Sequence, residues 1–244
     1  TNLIRWTDDF MRYELVPSIN STLKRASFIT NRWGMRDDDY QPEPAAGTFR
    51  IAMIGGSVAM GSGVILEQTF EHLLEQWMNQ KYAGVNYSKF EILNFSVAGY
   101  AVLQQLAVLQ NKVLAFKTDA VLVVAHAGDI IRLHQNPYFL QIDPESLPYE
   151  ELRQILHKGN IYKKFRPQKM ARRIEPIKND IMAWIYGTMV ETCRTNNIRP
   201  IWVVLPSEPG PNSYADQAGD LINLAQEAGF ETLDITDVYD NDDP

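Results

Sequence analysis

Residues 49–63, Phe-Arg-Ile-Ala-Met-Ile-Gly-Gly-Ser-Val-Ala-Met-Gly-Ser-Gly, constrain this chain more than any other stretch. An apolar run at 51–54 reads as a buried strand. It stops at Gly55-Gly56, Ser57 follows at once, and a helical pattern begins near Leu66. Such a strand–turn–helix unit is the repeating element of parallel α/β sheets, and the rest of the chain repeats it. Strands are predicted at 49–54, 90–94, 120–125, 200–205 and 230–235. Helices are predicted at 66–81, 102–116, 176–195 and 215–228, the last closed by Gly229, which suits a left-handed cap. In the first helix Phe70, Leu73, Leu74 and Trp77 are expected to face inward. The expected fold is α/β: a flavodoxin-like three-layer sandwich with a five-stranded parallel sheet.

Three readings compete for the turn at Ser57. A phosphate-binding loop fits the spacing of Gly56 and Gly61, but Ser62-Gly63 stand where Lys-Ser/Thr is required, and the glycines do not fit a dinucleotide fingerprint. A plain βα turn, in which Ser57 caps a helix, needs no chemistry. A nucleophile exposed beyond a strand's carboxyl end uses the glycines for a sharp turn and for close substrate approach.

The chain of 244 residues is 45% hydrophobic, enough for one sizeable core. No apolar run reaches the length of a membrane span. A net charge of −7 argues against general nucleic-acid binding, which needs cationic surface. One cysteine, Cys193, excludes an intramolecular disulfide, and the compartment stays open. The chain begins at Thr1, which reads as a cut or processed start. Residues 1–48 are expected to form a short helical arm packing Leu3, Ile4, Trp6, Phe10, Tyr13 and Leu15 on the core. Residues 49–244 form the main domain, with an irregular insertion at about 135–175. That insertion carries Lys158, Lys163, Lys164, Arg166, Lys169, Arg172 and Arg173, read as a solvated face or, more sharply, as a lid for an anionic substrate.

Gly55-Gly56-Ser57 resembles the first motif of the SGNH, or GDSL-like, hydrolases, bacterial members in particular. Residues 31–36, Asn-Arg-Trp-Gly-Met-Arg, and 47–51 resemble the lead-in of that motif, and Gly61-Ser62-Gly63-Val64 and Thr69-Phe70 its continuation. Residues 94–100, Asn-Phe-Ser-Val-Ala-Gly-Tyr, resemble the second motif, whose glycine maps to Gly99. The third motif falls on His126-Ala127-Gly128-Asp129, with Gly128 in place of an asparagine and Asp129 on the motif's aspartate.

The resemblance implies a serine hydrolase of O-acyl esters, on a carbohydrate or a small ester, using no cofactor and no metal. Ser57 would be the nucleophile, and the N–H groups of Ser57 and Gly99 would bind the oxyanion. Gly128, Asp129 and His126 are further candidates; Asp129 suits a structural role bonding loop amides. Ser57, Gly99 and Asp129 all follow a strand's carboxyl end, where ligands bind in such sheets. The family's Asp-x-x-His motif, which carries the base, does not occur before Pro244, and no histidine follows His157. A base beyond Pro244, a relocated base at His126, or a non-catalytic binding or scaffolding domain are the alternatives. Acyl transfer to a sugar hydroxyl would use the same serine.

Overall fold

The computed structural model describes residues 3–126, 129, 143–205 and 215–235. Nine strands occur among them: β1 (Ile4–Trp6), β2 (Tyr13–Leu15), β3 (Asn20–Leu23), β4 (Ala26–Ile29), β5 (Thr48–Gly55), β6 (Lys89–Asn94), β7 (Ala120–His126), β8 (Arg199–Leu205) and β9 (Glu231–Asp234). The helices are α1 (Phe70–Tyr82), α2 (Val102–Asn111), α3 (Glu150–Lys158), α4 (Pro167–Ile174), α5 (Lys178–Thr195) and α6 (Ala215–Ala228).

The five strands from β5 onward form one parallel sheet in the order β6-β5-β7-β8-β9. This is the flavodoxin-like order. β5 lies between β6 and β7, so the chain reverses direction across the sheet at β5 and opens a crevice at its carboxyl end. On one face Ala52, Ile54, Leu93, Val121, Val123 and Val204 pack under α2, α5 and α6. On the other, Phe70, Leu74 and Met78 of α1 pack against Ile51, Met53, Ile92 and Val124.

The orientation of α1 differs from expectation. Leu73 and Trp77 are 52% and 47% exposed. The inward stripe is rotated toward Glu71 and Glu75: Glu71 Oε2 accepts from Thr69 Oγ1 at 3.3 Å and Glu75 Oε2 from Ile92 N–H at 2.6 Å. Trp77 instead carries the Lys81 ammonium over its ring at 4.9 Å and meets Tyr82 edge-on at 5.4 Å.

The N-terminal segment is not helical. It forms two hairpins, β1 against β2 and β3 against β4. Tyr13 and Leu15 are buried and Glu14 lies between them, a period of two that suits a strand. Lys24 and Arg25 turn β3 into β4 with φ of 49° and 72°. Two positive φ values are what a tight hairpin turn requires, but the usual Asn-Gly signal is missing.

The region expected to be irregular holds two helices among its described residues. Leu152 and Leu156 of α3, and Met170 and Ile174 of α4, join the core. Pro167 opens α4 at a position where no backbone donor is needed. Lys163, Lys164, Arg166, Lys169 and Arg172 are exposed, as a solvated face requires. Cys193 is fully buried, and burial pushes its thiol up to about 12.

A buried ion pair joins the edge strand to its neighbour. Arg50 of β5, 1% exposed, donates through Nε and Nη2 to Glu91 Oε2 of β6 at 2.9 and 2.7 Å. Its Nη1 donates to the carbonyls of Gln41, Pro42 and Phe116. Removing one partner strands a buried charge. Arg50→Ala is therefore expected to cost about 3–5 kcal/mol in urea unfolding; a loss under about 1 kcal/mol would contradict this account of the sheet edge.

Candidate active site at the carboxyl edge of the sheet

Ser57 is half-buried and begins the turn that leaves β5. The backbone winds tightly there: Met60 N–H donates to Gly56 O at 2.9 Å, Gly61 N–H to Val58 O at 2.8 Å, and Ser62 N–H to Ser57 O at 3.0 Å. The winding folds the chain back over its own strand. A Cβ on Gly55 would lie 2.6 Å from Ala59 Cβ and 3.0 Å from Val124 O, so only glycine fits.

Gly99 lies in the turn that leaves β6. Tyr100 N–H donates to Val97 O at 3.2 Å, closing a four-residue turn. Gly99 has φ of 83°, whereas Ala98 is not among the residues with positive φ. A negative φ followed by a positive one is the type II pattern, which calls for glycine in the third place.

A buried asparagine ties the two turns together. Asn94, the last residue of β6 and fully buried, donates from Nδ2 to Ala59 O at 3.0 Å. Its Oδ1 accepts from Ser96 N–H at 3.0 Å. One side chain thus bonds the segment after Ser57 and the segment before Gly99.

Two residues between β4 and β5 bond this arrangement. Arg36, 1% exposed, donates to the carbonyls of Met60 (2.8 Å), Gly61 and Val64, and to Ser27 O of β4 at 3.4 Å. It satisfies carbonyls of the Ser57 loop that would otherwise be buried unpaired. Asp37 Oδ2 accepts from Asn94 N–H at 2.7 Å, and its Oδ1 from Asp38 N–H at 2.7 Å. Tyr40 Oη lies 3.3 Å from both Asp37 Oδ1 and Glu75 Oε2. Glu75 Oε2 also accepts from Ile92 N–H at 2.6 Å.

Three carboxyls therefore crowd beneath the rim. Burial raises Asp37 well above the usual range, and the neighbouring Glu71 adds to this while two backbone N–H groups oppose it. Burial also raises Glu71, with the charge of Glu75 adding, to about 8. Glu75 is raised by burial too. Burial depresses Arg36, and Glu71 and Glu67 counteract that. Among the described residues, no group of three or more His, Cys, Asp or Glu is arranged to hold a metal ion.

At the end of β7, His126 is half-buried, and its N–H donates to Asp129 Oδ2 at 2.9 Å. Register relates it to the serine. Gly55 pairs with Val124, so the turn that carries Ser57 and the end of β7 that carries His126 lie at the same edge of the sheet. The other described histidines have surface partners: His72 with Gln76 at 2.8 Å, and His157 with Glu145 at 3.0 Å. Gly128 and His134 lie outside the described residues.

The turns carrying Ser57 and Gly99 thus meet at one edge, with His126 and Asp129 on the neighbouring strand end. Sequence reasoning missed Arg36, Asp37, Glu71, Glu75 and the role of Asn94. Only Asn94 left a signal, as a polar residue closing the apolar run of β6.

No protein-family model matches the chain, and no curated protein matches it. Solved structures do. LAE5, an alpha/beta hydrolase enzyme from the metagenome of Lake Arreo, Spain, is 16% identical over 81% of this chain and 81% of its own, with a TM-score of 0.48. The lipase/acylhydrolase from Enterococcus faecalis is 13% identical over 79% of this chain and 78% of its own, at 0.46. The psychrotrophic esterase EstA from Pseudoalteromonas sp., in a structure inhibited by monoethylphosphonate, is 13% identical over 76% of each chain, at 0.45. The fold assignment rests on the chain's own sheet order. No helix among the described residues is long and apolar enough to cross a membrane.

The carboxyl cluster has a pH signature. Each raised carboxyl binds its proton more readily folded than unfolded. The stability it contributes is full below the unfolded value, 4.5 for Glu71, and is lost as pH rises through the folded value of about 8. Glu71→Gln removes that loss. In urea unfolding between about pH 5 and pH 8 the variant should gain on the unmodified protein as pH rises. A constant difference across that window would contradict the assignment.

Proposed function

We propose that the chain is a serine ester hydrolase acting on O-acyl esters, carried by a carbohydrate or a small alcohol. The observation that supports this most is the convergence of the Ser57 and Gly99 turns on one sheet edge, tied by Asn94. In this reading Ser57 Oγ attacks the ester carbonyl, and the N–H groups of Ser57 and Gly99 stabilise the developing oxyanion. The hydroxyl proton passes to a base at the rim and then to the leaving alcohol. A water repeats the sequence on the acyl-enzyme. A sugar hydroxyl in place of that water would make the same site an acyltransferase.

His126 is the described histidine at this edge of the sheet, which makes it the base to test. The hydrolase names of LAE5, the Enterococcus faecalis enzyme and EstA accord with the same chemistry. The exposed apolar side chains Val58, Val64 and Ile65 border the turn and suit an acyl group.

A fluorophosphonate should add once to the intact protein, and peptide mapping should find it on Ser57. Ser57→Ala should abolish the adduct and reduce hydrolysis of p-nitrophenyl acetate at least about 10³-fold. Loss of both in His126→Ala would assign the base there. An adduct that persists in Ser57→Ala would overturn the nucleophile. A protein that neither labels nor turns over ester, yet binds a ligand at this rim, would favour a binding domain.

A further inference from the structure

The first hairpin reaches the candidate oxyanion donor. Tyr13, the first residue of β2 and 4% exposed, donates its hydroxyl to Ala98 O at 2.6 Å. That carbonyl belongs to the same peptide unit as the N–H of Gly99. We propose that Tyr13 is a positioning residue for the oxyanion donor, holding the Ala98–Gly99 peptide in the orientation that presents Gly99 N–H to the reacting carbonyl. The inference rests on the ester-hydrolase reading above.

The physical argument starts from the turn. The peptide between the second and third residues of a four-residue turn is its least restrained unit. Types I and II differ mainly by a half-turn of that peptide, ψ at the second residue and φ at the third changing together. Glycine in the third place tolerates both. A flip would leave Val97 and Tyr100 almost where they are, yet point Gly99 N–H the opposite way. Because the peptide is planar, fixing its carbonyl oxygen fixes its N–H. The Tyr13 hydroxyl does this from one side.

It also withdraws electron density from the peptide, which makes the N–H a better donor. The hydroxyl itself is well placed. The ring packs on Tyr100 at 5.3 Å and Trp6 at 5.9 Å. Tyr100 Oη donates back to Tyr13 O at 2.5 Å, and Gln104 Nε2 donates to Met11 O at 2.8 Å. A Cβ on Gly99 would stand 2.5 Å from Tyr13 Oη, so the glycine also leaves room for the hydroxyl.

Tyr13→Phe keeps the ring and removes the bond. Its kcat for p-nitrophenyl acetate should fall about tenfold with KM unchanged, less than the ~10²–10³ for removing an oxyanion donor outright. The 15N resonance of Gly99 and the 13C′ resonance of Ala98 should both move upfield, a readout independent of turnover. Glu14→Gln weakens the ion pairs of the same hairpin with Arg5 and Lys112 and measures the purely structural effect; it should leave kcat within about twofold and both resonances in place. Equal kcat losses in the two variants, or unmoved resonances in Tyr13→Phe, would overturn the inference while Ser57-dependent turnover kept the hydrolase reading intact. Absence of Ser57-dependent turnover in the unmodified protein would overturn both.

Discussion

Parallel pairing of β5 with β6 on one side and β7 on the other is the constraint from which the rest of this structure follows. Parallel strands cannot be joined by a tight hairpin, so each connection crosses a face of the sheet and returns to the same end. Every strand therefore delivers its following turn to one rim. Because β5 is where the strand order reverses, the turn after it stands in the crevice between the turns that follow β6 and β7. Ser57 occupies the first of these, Gly99 the second, and His126 with Asp129 the third.

Topology alone brings loops near one another; buried polar groups fix their spacing. Asn94 bonds the segment after Ser57 and the segment before Gly99, Arg36 gathers three carbonyls of the Ser57 loop, and Asp37 holds the Asn94 backbone. Leaving any of these groups unpaired in the interior would cost about 1–3 kcal/mol. The hairpins add two further ties, Ser27 O to Arg36 and Tyr13 to Ala98 O. The N-terminal segment thus shapes the rim, and the raised carboxyls of Asp37, Glu71 and Glu75 result from placing that support in the interior.

The parallel sheet was legible because its strands are continuous apolar runs. Residues 120–125 read as a strand covered on both faces, and five of those six residues are buried. Ser57 stood out through the glycines of its turn, and Gly99 only through the resemblance of residues 94–100 to a known motif. The hairpins were not legible, since Lys24-Arg25 adopt a turn that Asn-Gly would announce. The face of α1 was misread for a different reason. Glu71 and Glu75, four apart, carry the pattern of a solvated stripe, and only the tertiary partners Tyr40, Thr69 and Ile92 show that they point inward. Arg36 stood out only as part of the 31–36 lead-in, because no local pattern predicts that the loop at 60–64 would present its carbonyls to it.

A crystal structure of the phosphonylated protein tests the central claim most directly. The account predicts a bond from phosphorus to Ser57 Oγ, with the phosphonyl oxygen about 2.7–3.1 Å from the N–H groups of both Ser57 and Gly99. A phosphonyl oxygen turned away from Gly99, or an adduct on any residue other than Ser57, would contradict it.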